Sequence, residues 1–286
     1  MRNIQNAWIF TYYDNNDLSA TLNQIQPGDT IIAVDAGLDL LLKYHIMPQM
    51  VIGDFDSMSQ QSIDILSAYQ ETLPELKETN DIYTQDFFQS IDNTDQKPLN
   101  EQLNFIRLKP EKDETDTELA VEWCLNNHFK TIYIINSMQN RFDHCTGIIS
   151  ILEYALDQNI HIHVISATQE IYFANTVQPL NYPQGSTFSL CPVSDKVTKV
   201  KTLNCSYPLN EETLYRNKTR GISNLISEEN AQITFESGKL LVIVQLQNEE
   251  NSLSETSTFL SEQQTFNKNI NTFCSENSKN MYNIEH

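Results

Sequence analysis

The stretch Met50-Val51-Ile52-Gly53-Asp54-Phe55-Asp56-Ser57 decides the fold. Its three apolar residues predict a short buried strand, and the glycine and aspartates that follow predict a turn at the strand's end. Ligands of α/β proteins bind where such strands end. Asp54 and Asp56 can face one point there, which would give the oxygen-rich, negative site that Mg²⁺ prefers when substrate phosphates also hold it. The alternative is that Asp56 or Ser57 only caps the helix predicted to begin near Ser59.

Strand-loop-helix units repeat on both sides of this stretch. A helical pattern follows nearly every predicted strand, and the chain therefore predicts an α/β fold whose N-terminal part is a mostly parallel sheet with flanking helices. All strand-to-helix loops of such a sheet lie on one edge. The predicted strands of this part are residues 7–10, 30–34, 50–52, 105–108, 132–135 and 161–165.

The pattern changes after residue 165, where short apolar segments alternate with proline and glycine. Regular short strands of this kind predict a C-terminal all-β, sandwich-like domain. We therefore expect an α/β catalytic domain at residues 1–165, with a polar insertion at about 78–104, and a β domain at residues 166–247. Residues 248–286 contain too little apolar surface to fold alone and are expected to be a disordered tail.

Composition excludes several classes of protein. The chain has 38 acidic and 18 basic residues and a formal net charge of -20, which argues against a nucleic-acid binder because no broad basic stripe is present. The 5 cysteines form no Cys-x-x-Cys motif, so neither a disulfide framework nor a zinc site is indicated. The apolar runs are too short to span a membrane. A cytoplasmic protein without a membrane partner is expected.

Several acidic loops should meet at the same sheet edge. So many carboxylates would repel one another without a cation, and a bound Mg²⁺ would relieve that repulsion. Arg141 and Lys112 add donors for phosphate oxygens. Local alternatives exist, because Asp113 and Asp116 could cap a helix and Arg141 could be a surface ion-pair partner of Asp143. The acidic residues of these loops are Asp35, Asp54, Asp56, Asp113, Asp116 and Asp143.

No glycine-rich phosphate loop is present. The chain has only 7 glycines and neither a Gly-x-x-x-x-Gly-Lys-Ser/Thr nor a Gly-x-Gly-x-x-Gly run, so metal and side chains would have to hold a nucleotide's phosphates. Phosphoryl transfer tolerates that arrangement, since its catalysis is mostly positioning and charge neutralisation.

Four motifs, in this order, resemble those of thiamine pyrophosphokinases. They are Gly53-Asp54-Phe55-Asp56-Ser57, Lys112-Asp113-Glu114-Thr115-Asp116, Arg141-Phe142-Asp143-His144 and Gly221-Ile222-Ser223-Asn224. The resemblance implies a Mg²⁺-dependent transfer of pyrophosphate from ATP to the hydroxyl of thiamine, giving thiamine diphosphate and AMP. It also implies a homodimer with an α/β catalytic domain and a C-terminal β domain that helps to bind thiamine.

The resemblance also implies a role for each motif residue. Carboxylates of the first two motifs correspond to metal and phosphate-site ligands. The residues around them and the arginine correspond to nucleotide contacts, and the Ser-Asn pair corresponds to thiamine contacts. The metal and catalytic set is Asp54, Asp56 and Asp116, with Asp143 beside it. The nucleotide set is Asp35, Lys112, Asp113, Thr115 and Arg141, and the thiamine set is Ser223 and Asn224.

Two alternative functions remain at this point. An Asp-x-Asp pair also serves metal-dependent glycosyltransferases, although it would not explain the Lys-Asp-x-Thr-Asp or Ser-Asn motifs. A thiamine- or nucleotide-binding sensor without turnover is the second alternative. The sensor is considered because the segment Ser137-Met138-Gln139-Asn140 stands where thiamine pyrophosphokinases usually have a glycine-rich turn.

Overall fold

The fold is known from a computed structural model that describes most of the chain. The described residues are 6–11, 17–72, 104–108, 111–139 and 141–246. The predicted insertion, apart from Asn104, and the predicted tail lie outside them. The chain divides into two compact units. Of the described residues, the first unit contains 9–11, 28–72, 104–108 and 111–126, and the second unit contains 6–8, 17–27, 127–139 and 141–246.

Parallel strands form the centre of the first unit. Strand β1 (Ala7–Phe10) and the short helix α1 (Ser19–Leu22) come first in the chain. Strands β2 (Thr30–Val34), β3 (Met50–Gly53) and β4 (Asn104–Arg107) then pair in parallel, with β3 in the middle. Every residue of β2 and β3 is buried. Burial on both faces explains why these strands are continuous apolar runs in the sequence.

Each parallel strand of the first unit is followed by a helix. Helix α2 (Gly37–Lys43) follows β2, α3 (Gln60–Thr72) follows β3, and α4 (Asp116–Asn126) follows β4. Helix α2 buries Leu38, Leu40 and Leu41, and α4 buries a stripe that includes Trp123. The three strand-to-helix loops therefore leave the sheet at the carboxyl ends of its strands.

The second unit combines parallel and antiparallel pairing. Strands β5 (Thr131–Ile135) and β6 (His161–Ile165) are parallel and are joined by helix α5 (Phe142–Asp157). Strand β7 (Gln169–Phe173) then runs antiparallel to β6. The remaining strands are β8 (Val177–Pro179), β9 (Thr187–Pro192), β10 (Lys196–Leu203), β11 (Glu212–Tyr215), β12 (Asn224–Leu225), β13 (Gln232–Thr234) and β14 (Leu240–Gln245).

The antiparallel strands form two sheets around one apolar core. Strands β12, β9, β14 and β7 continue, in that order, the sheet that contains β6 and β5. A second sheet has the order β11, β10, β13 and β8. The fully buried Phe188, Val200 and Ile233 belong to the core cluster that these strands share. The predicted fold class, a mostly parallel N-terminal sheet with helices and a C-terminal antiparallel part, is confirmed.

A tight connection explains why the antiparallel strands extend the same sheet. Strand β6 ends at Ile165 and β7 begins at Gln169, and so short a loop permits only antiparallel pairing. The hydroxyl of buried Ser166 accepts the N–H groups of Thr168 at 3.2 Å and Gln169 at 3.0 Å. The compact units cut the chain differently from the domain boundaries expected at residues 165 and 247, which stay a prediction.

Two glycines give a matched test of this packing. A Cβ added to Gly37 would lie 1.9 Å from the carbonyl oxygen of Phe10, whereas one added to Gly147, within α5, would meet no atom within 4 Å. Gly37→Ala should therefore lower the free energy of unfolding by about 1–3 kcal/mol through overpacking. Gly147→Ala should raise it by up to about 1 kcal/mol, because alanine favours helix.

Urea unfolding followed by far-UV circular dichroism measures both changes. Wild-type stability in Gly37→Ala would show that the start of α2 does not pack against the end of β1.

Candidate active site

Asp35 ties the end of β2 to its neighbour β3. It follows the last residue of β2 and has a left-handed backbone, with φ of 46°. Its N–H donates to the carbonyl of Ile52 at 3.1 Å, and its carbonyl accepts the N–H of Leu38 at 3.0 Å. Aspartate adopts this backbone more readily than most residues. The turn into α2 is thereby fixed to the strand that carries the Gly53–Ser57 motif.

Gly53 lets the Asp35 carboxylate lie over the end of β3. A Cβ at residue 53 would stand 1.7 Å from Asp35 Oδ1, so no larger residue fits beneath that side chain. Asp35 Oδ1 also accepts a long hydrogen bond, 3.4 Å, from the N–H of Phe55. Glycine, which has no side chain, is the residue that lets a neighbouring group approach the backbone this closely. The glycine of the motif therefore serves the aspartate of a different loop.

The Asp54/Asp56 pair forms a turn of its own. The N–H of Asp56 donates to Asp54 Oδ1 at 3.1 Å, which is the geometry of an Asx turn. Asp54 is half-buried and Asp56 is exposed. Ser59 caps α3, because its hydroxyl accepts the N–H of Ser62 at 3.3 Å. The capping role considered for Asp56 or Ser57 is therefore filled by another residue, and both carboxylates lie beyond the helix.

The third loop of the first unit brings a lysine and an aspartate together. Lys112 Nζ lies 3.0 Å from Asp116 Oδ1, and the two side chains are 9% and 21% exposed. That oxygen is buried and has no hydrogen bond of good geometry, so the contact is an ion pair rather than a directed bond. The cap of α4 is Thr115, whose Oγ1 accepts the N–H of Glu118 at 3.2 Å. Asp113 is exposed, and the alternative that it caps the helix is wrong.

The carboxylates of these three loops act on one another electrostatically. Burial, followed by the charges of Asp116 and Asp54, raises the pKa of Asp35 to about 7, although the Phe55 N–H and Lys112 oppose that shift. The neighbouring Asp54 raises the pKa of Asp56. We call Asp35, Asp54, Asp56 and Asp116 the acidic cluster. Its members are close enough to repel, with Lys112 as the cation among them.

The acidic cluster fits Mg²⁺ better than a metal that needs a full protein cage. Among the described residues no group of three His, Cys, Asp or Glu side chains is close enough to hold an ion. Mg²⁺ is usually bound through one or two carboxylates, with substrate phosphates and waters as the other ligands. The cluster offers oxygen donors only and an excess of negative charge. Asp54, Asp56 and Asp116 are the residues from which those one or two carboxylates could come.

Arg141 and Asp143, which belong to the second unit, form an exposed pair at the start of α5. Arg141 Nε donates to Asp143 Oδ1 at 3.2 Å and Nη2 donates to Oδ2 at 2.6 Å. The side chains are 67% and 63% exposed. The guanidinium lowers the pKa of Asp143 to about 2. The alternative of a surface ion pair is confirmed, and exposed pairs of this kind hold together weakly enough to be displaced.

The predicted thiamine residues, also in the second unit, have different surroundings. Ser223 is exposed and left-handed, with φ of 56°, and its N–H donates to Ser189 Oγ at 3.0 Å. Asn224 is buried. Its Oδ1 accepts the N–H of Tyr207 at 3.0 Å and that of Leu225 at 2.8 Å, and its Nδ2 donates to the carbonyl of Tyr207 at 2.8 Å. The amide of Asn224 thus holds main chain.

Tyr207 is a candidate contact that the sequence motifs do not include. Asn224 fixes its backbone on both sides, while its side chain is 58% exposed. The only local signal in the sequence is an aromatic residue before proline in a polar loop. An exposed aromatic ring held in place by a motif residue can present its face to a ring of a ligand.

Two family models match the chain one after the other. The model described as "Thiamin pyrophosphokinase, catalytic domain" matches residues 82–164, and "Thiamin pyrophosphokinase, vitamin B1 binding domain" matches residues 168–240. The chain belongs to the thiamine pyrophosphokinase family. The first match contains the Lys112–Asp116 and Arg141–Asp143 segments and the second contains Ser223 and Asn224, whereas Asp35 and the Asp54/Asp56 turn precede both.

Known thiamine pyrophosphokinases are similar over most of this chain. The thiamine pyrophosphokinase of Bacillus subtilis is 26% identical over 214 residues, which are 74% of this chain and 85% of that protein. A crystal structure from the same species has a TM-score of 0.67 at 22% identity and covers 84% of this chain and 99% of its own. The Candida albicans structure has a TM-score of 0.60 at 19% identity, covering 85% and 89%. These structures share the fold.

No helix within the described ranges is both long and apolar enough to cross a bilayer.

Replacing Asp35 by Asn should change how the stability of the metal-free protein depends on pH. The folded carboxyl keeps its proton up to about pH 7, whereas the unfolded one loses it near its ordinary pKa of 3.8. The contribution of Asp35 to wild-type stability therefore falls as pH rises between those values. Asn suits the left-handed backbone and carries no charge, so Asp35→Asn should gain stability relative to wild type over that range.

Urea unfolding in EDTA at several pH values between 4 and 8 measures the difference between the two proteins. A difference that stays constant with pH would contradict the raised pKa of Asp35.

Proposed function

We propose that this chain is a Mg²⁺-dependent thiamine diphosphokinase, which transfers a pyrophosphoryl group from ATP to thiamine and releases AMP. The observation that carries the proposal is the tandem match to both the catalytic and the vitamin B1 binding domain of one family. The acidic cluster supports the use of a divalent cation. The Asp-x-Asp glycosyltransferase alternative explains neither match and is not favoured.

The reaction needs no nucleophile from the protein. The hydroxyl oxygen of thiamine forms a bond to the β-phosphorus of ATP, and the bond from that phosphorus to the oxygen bridging it to the α-phosphorus breaks. AMP leaves with the bonding electron pair, and the hydroxyl proton passes to a base or to solvent. Catalysis of such transfers rests on positioning and on neutralising phosphate charge, which are tasks that the side chains described above can perform.

The first unit would bind the cation and the phosphates attached to it. Bound Mg²⁺ supplies positive charge next to phosphate oxygens. One or two of Asp54, Asp56 and Asp116 would hold it, and Lys112 keeps a positive charge 3.0 Å from Asp116. Asp35 fixes the loop beneath them through the N–H of Phe55. Thr115 is exposed beside Asp116 while its hydroxyl caps α4, so a nucleotide contact by Thr115 would add to that cap.

Arg141 would bind a phosphate of ATP through the same fork that now holds Asp143. A planar guanidinium makes paired hydrogen bonds to carboxylate or phosphate alike. Because both side chains are exposed, an incoming phosphate competes with Asp143 at little cost. Asp143 would then act by orienting Arg141 before the nucleotide arrives and would be released next to the phosphates.

Thiamine would contact the Ser223–Asn224 segment and the ring held by it. The exposed Ser223 can exchange hydrogen bonds with the pyrimidine, and the Tyr207 ring can face the cationic thiazolium or the pyrimidine. Asn224, whose amide is engaged by Tyr207 and Leu225, would act through the position of Tyr207. The proposal also includes a homodimer and a cytoplasmic location. The location agrees with the free thiols of Cys124, Cys145, Cys191 and Cys205.

One assay tests the function directly. The purified chain is incubated with ATP, Mg²⁺ and thiamine, and the nucleotides and thiamine esters are resolved by chromatography, with EDTA and thiamine-free controls. Equal amounts of AMP and thiamine diphosphate, absent from both controls, are expected. ADP with thiamine monophosphate would contradict pyrophosphoryl transfer, and saturable thiamine binding without any product would favour the sensor.

Asp54→Asn should reduce kcat by at least about a hundredfold, because weaker binding of Mg²⁺ removes the cation that neutralises phosphate charge in the transition state. The variant keeps an acceptor for the Asp56 N–H, so its fold should be unchanged. Asp64→Asn is the matched control, because Asp64 is exposed on α3 and bonds only to Gln60 among the contacts described. Wild-type kcat in Asp54→Asn would remove Asp54 from the metal site.

Tyr207→Ala should raise the KM for thiamine about tenfold or more without changing the KM for ATP, because an aromatic contact of about 1.5 kcal/mol is lost. Asn224→Ala should raise the same KM and also lower the free energy of unfolding by about 1–3 kcal/mol, since buried main-chain groups lose their partners.

Tyr215→Ala is the control for the aromatic contact, since Tyr215 is 49% exposed on β11, outside the Tyr207 loop. Steady-state kinetics and urea unfolding of the same three proteins separate the two effects. An unchanged thiamine KM in Tyr207→Ala would exclude the ring from the binding site.

A further inference from the structure

Asp39, in the first turn of α2, receives hydrogen bonds from the start of α3. Asp39 Oδ2 accepts the N–H of Ser59 at 2.9 Å, and Oδ1 accepts the hydroxyls of Ser59 and Ser62. Ser62 is fully buried and Asp39 is half-buried. These contacts join residues 20 and 23 positions apart in the chain.

Asp39 completes a capping arrangement that the sequence of α3 cannot complete alone. The first N–H groups of a helix lack partners within it. In a capping box, a Glu or Gln at the third helical position accepts the N–H of the capping residue. Helix α3 has Ser62 at that position, and the carboxylate of Asp39 accepts the N–H of Ser59 instead. The start of α3 is therefore fixed to α2.

The turn before α2 and the first turn of α2 consequently hold the two ends of the segment that carries Asp54 and Asp56. At one end Asp35, two residues before α2, lies against Gly53 and accepts the Phe55 N–H. At the other end Asp39 holds Ser59, only three residues after Asp56. A segment fixed at both ends to α2 and the turn that precedes it has little freedom to move its two carboxylates apart.

We propose that Asp39 is a positioning residue for Asp54 and Asp56, which sets the spacing at which they meet the cation and its phosphates. The inference rests on the proposed function, in which those carboxylates bind Mg²⁺. Groups that orient metal-binding side chains typically change metal affinity or activity by about 10–100-fold when they are removed.

Asp39→Ala tests the inference, because alanine keeps the helical preference of α2 and removes all three hydrogen bonds. The Mg²⁺ concentration for half-maximal AMP formation should rise about tenfold, with an unchanged KM for thiamine. Amide hydrogen exchange in residues 53–59 should speed up, while exchange in residues 116–126 stays as in wild type. Asp64→Ala is the control, since it removes an exposed acid of α3 that bonds to Gln60.

Ser62→Ala is a milder second variant, because it removes one of the three hydrogen bonds to Asp39 and leaves the N–H of Ser59 with its partner. It should change the Mg²⁺ requirement and the exchange rates in the same direction by a smaller factor. If Asp39→Ala does not fold, the Mg²⁺ requirement and exchange rates of Ser62→Ala test the proposal instead. A lower kcat with an unchanged Mg²⁺ requirement would overturn the proposal, because it would show that Asp39 supports only the fold.

Failure of the proposed function can be told apart from failure of this inference. If the wild type forms no AMP, the proposed function is wrong, and calorimetric titration with Mn²⁺ alone replaces the assay. Weaker Mn²⁺ binding and faster exchange in residues 53–59 of Asp39→Ala would still support the positioning role. Unchanged Mn²⁺ affinity and unchanged exchange would overturn it.

Discussion

The packing of Asp35 against Gly53 places the Asp35 carboxylate beside other carboxylates that repel its negative charge. The chemistry of the first unit depends on that contact. Only a residue without a side chain leaves room for Asp35 Oδ1 above the end of β3. Burial there, beside Asp116 and Asp54, raises the pKa of Asp35 to about 7. A cluster whose members repel one another is stabilised by whatever brings positive charge. The same packing that costs stability without a cation therefore favours its binding.

The two units supply different chemistry. Among the described residues of its three loops, the first unit has oxygen donors, the largely covered Lys112 and no aromatic side chain apart from Phe55, which suits a cation with phosphates. The second unit has an exposed arginine fork, a serine hydroxyl and the exposed Tyr207 ring, which suits phosphate at one place and a cationic heterocycle at another. The proposed reaction needs both kinds of group.

Patterns local in sequence predicted the six strands up to residue 165, the helices between them and the loops that carry acidic residues. The apolar runs of β2 and β3 and the helical spacing in α2 are periodicities that neighbouring residues determine. What could not be predicted depends on contacts between distant residues. The Asp39 contact with Ser59, the Asn224 amide on Tyr207 and the continuation of one sheet through β7 have no local periodicity. The cap of α4 by Thr115, in contrast, could have been predicted from the sequence, since Thr115 and Glu118 have capping-box spacing.

The most direct test of this account is the proton balance of cation binding. Mg²⁺ is titrated calorimetrically at pH 7 into the protein with a non-hydrolysable ATP analogue, in two buffers of different ionisation enthalpy. A carboxyl with a pKa of about 7 is partly protonated at that pH, so Mg²⁺ binding should release more protons from wild type than from Asp35→Asn, because any release by the nucleotide is common to both proteins. The account would be contradicted if Mg²⁺ binding released no protons from wild type, or if it released as many from Asp35→Asn as from wild type. Either result would show that repulsion within the acidic cluster is not the basis of the site.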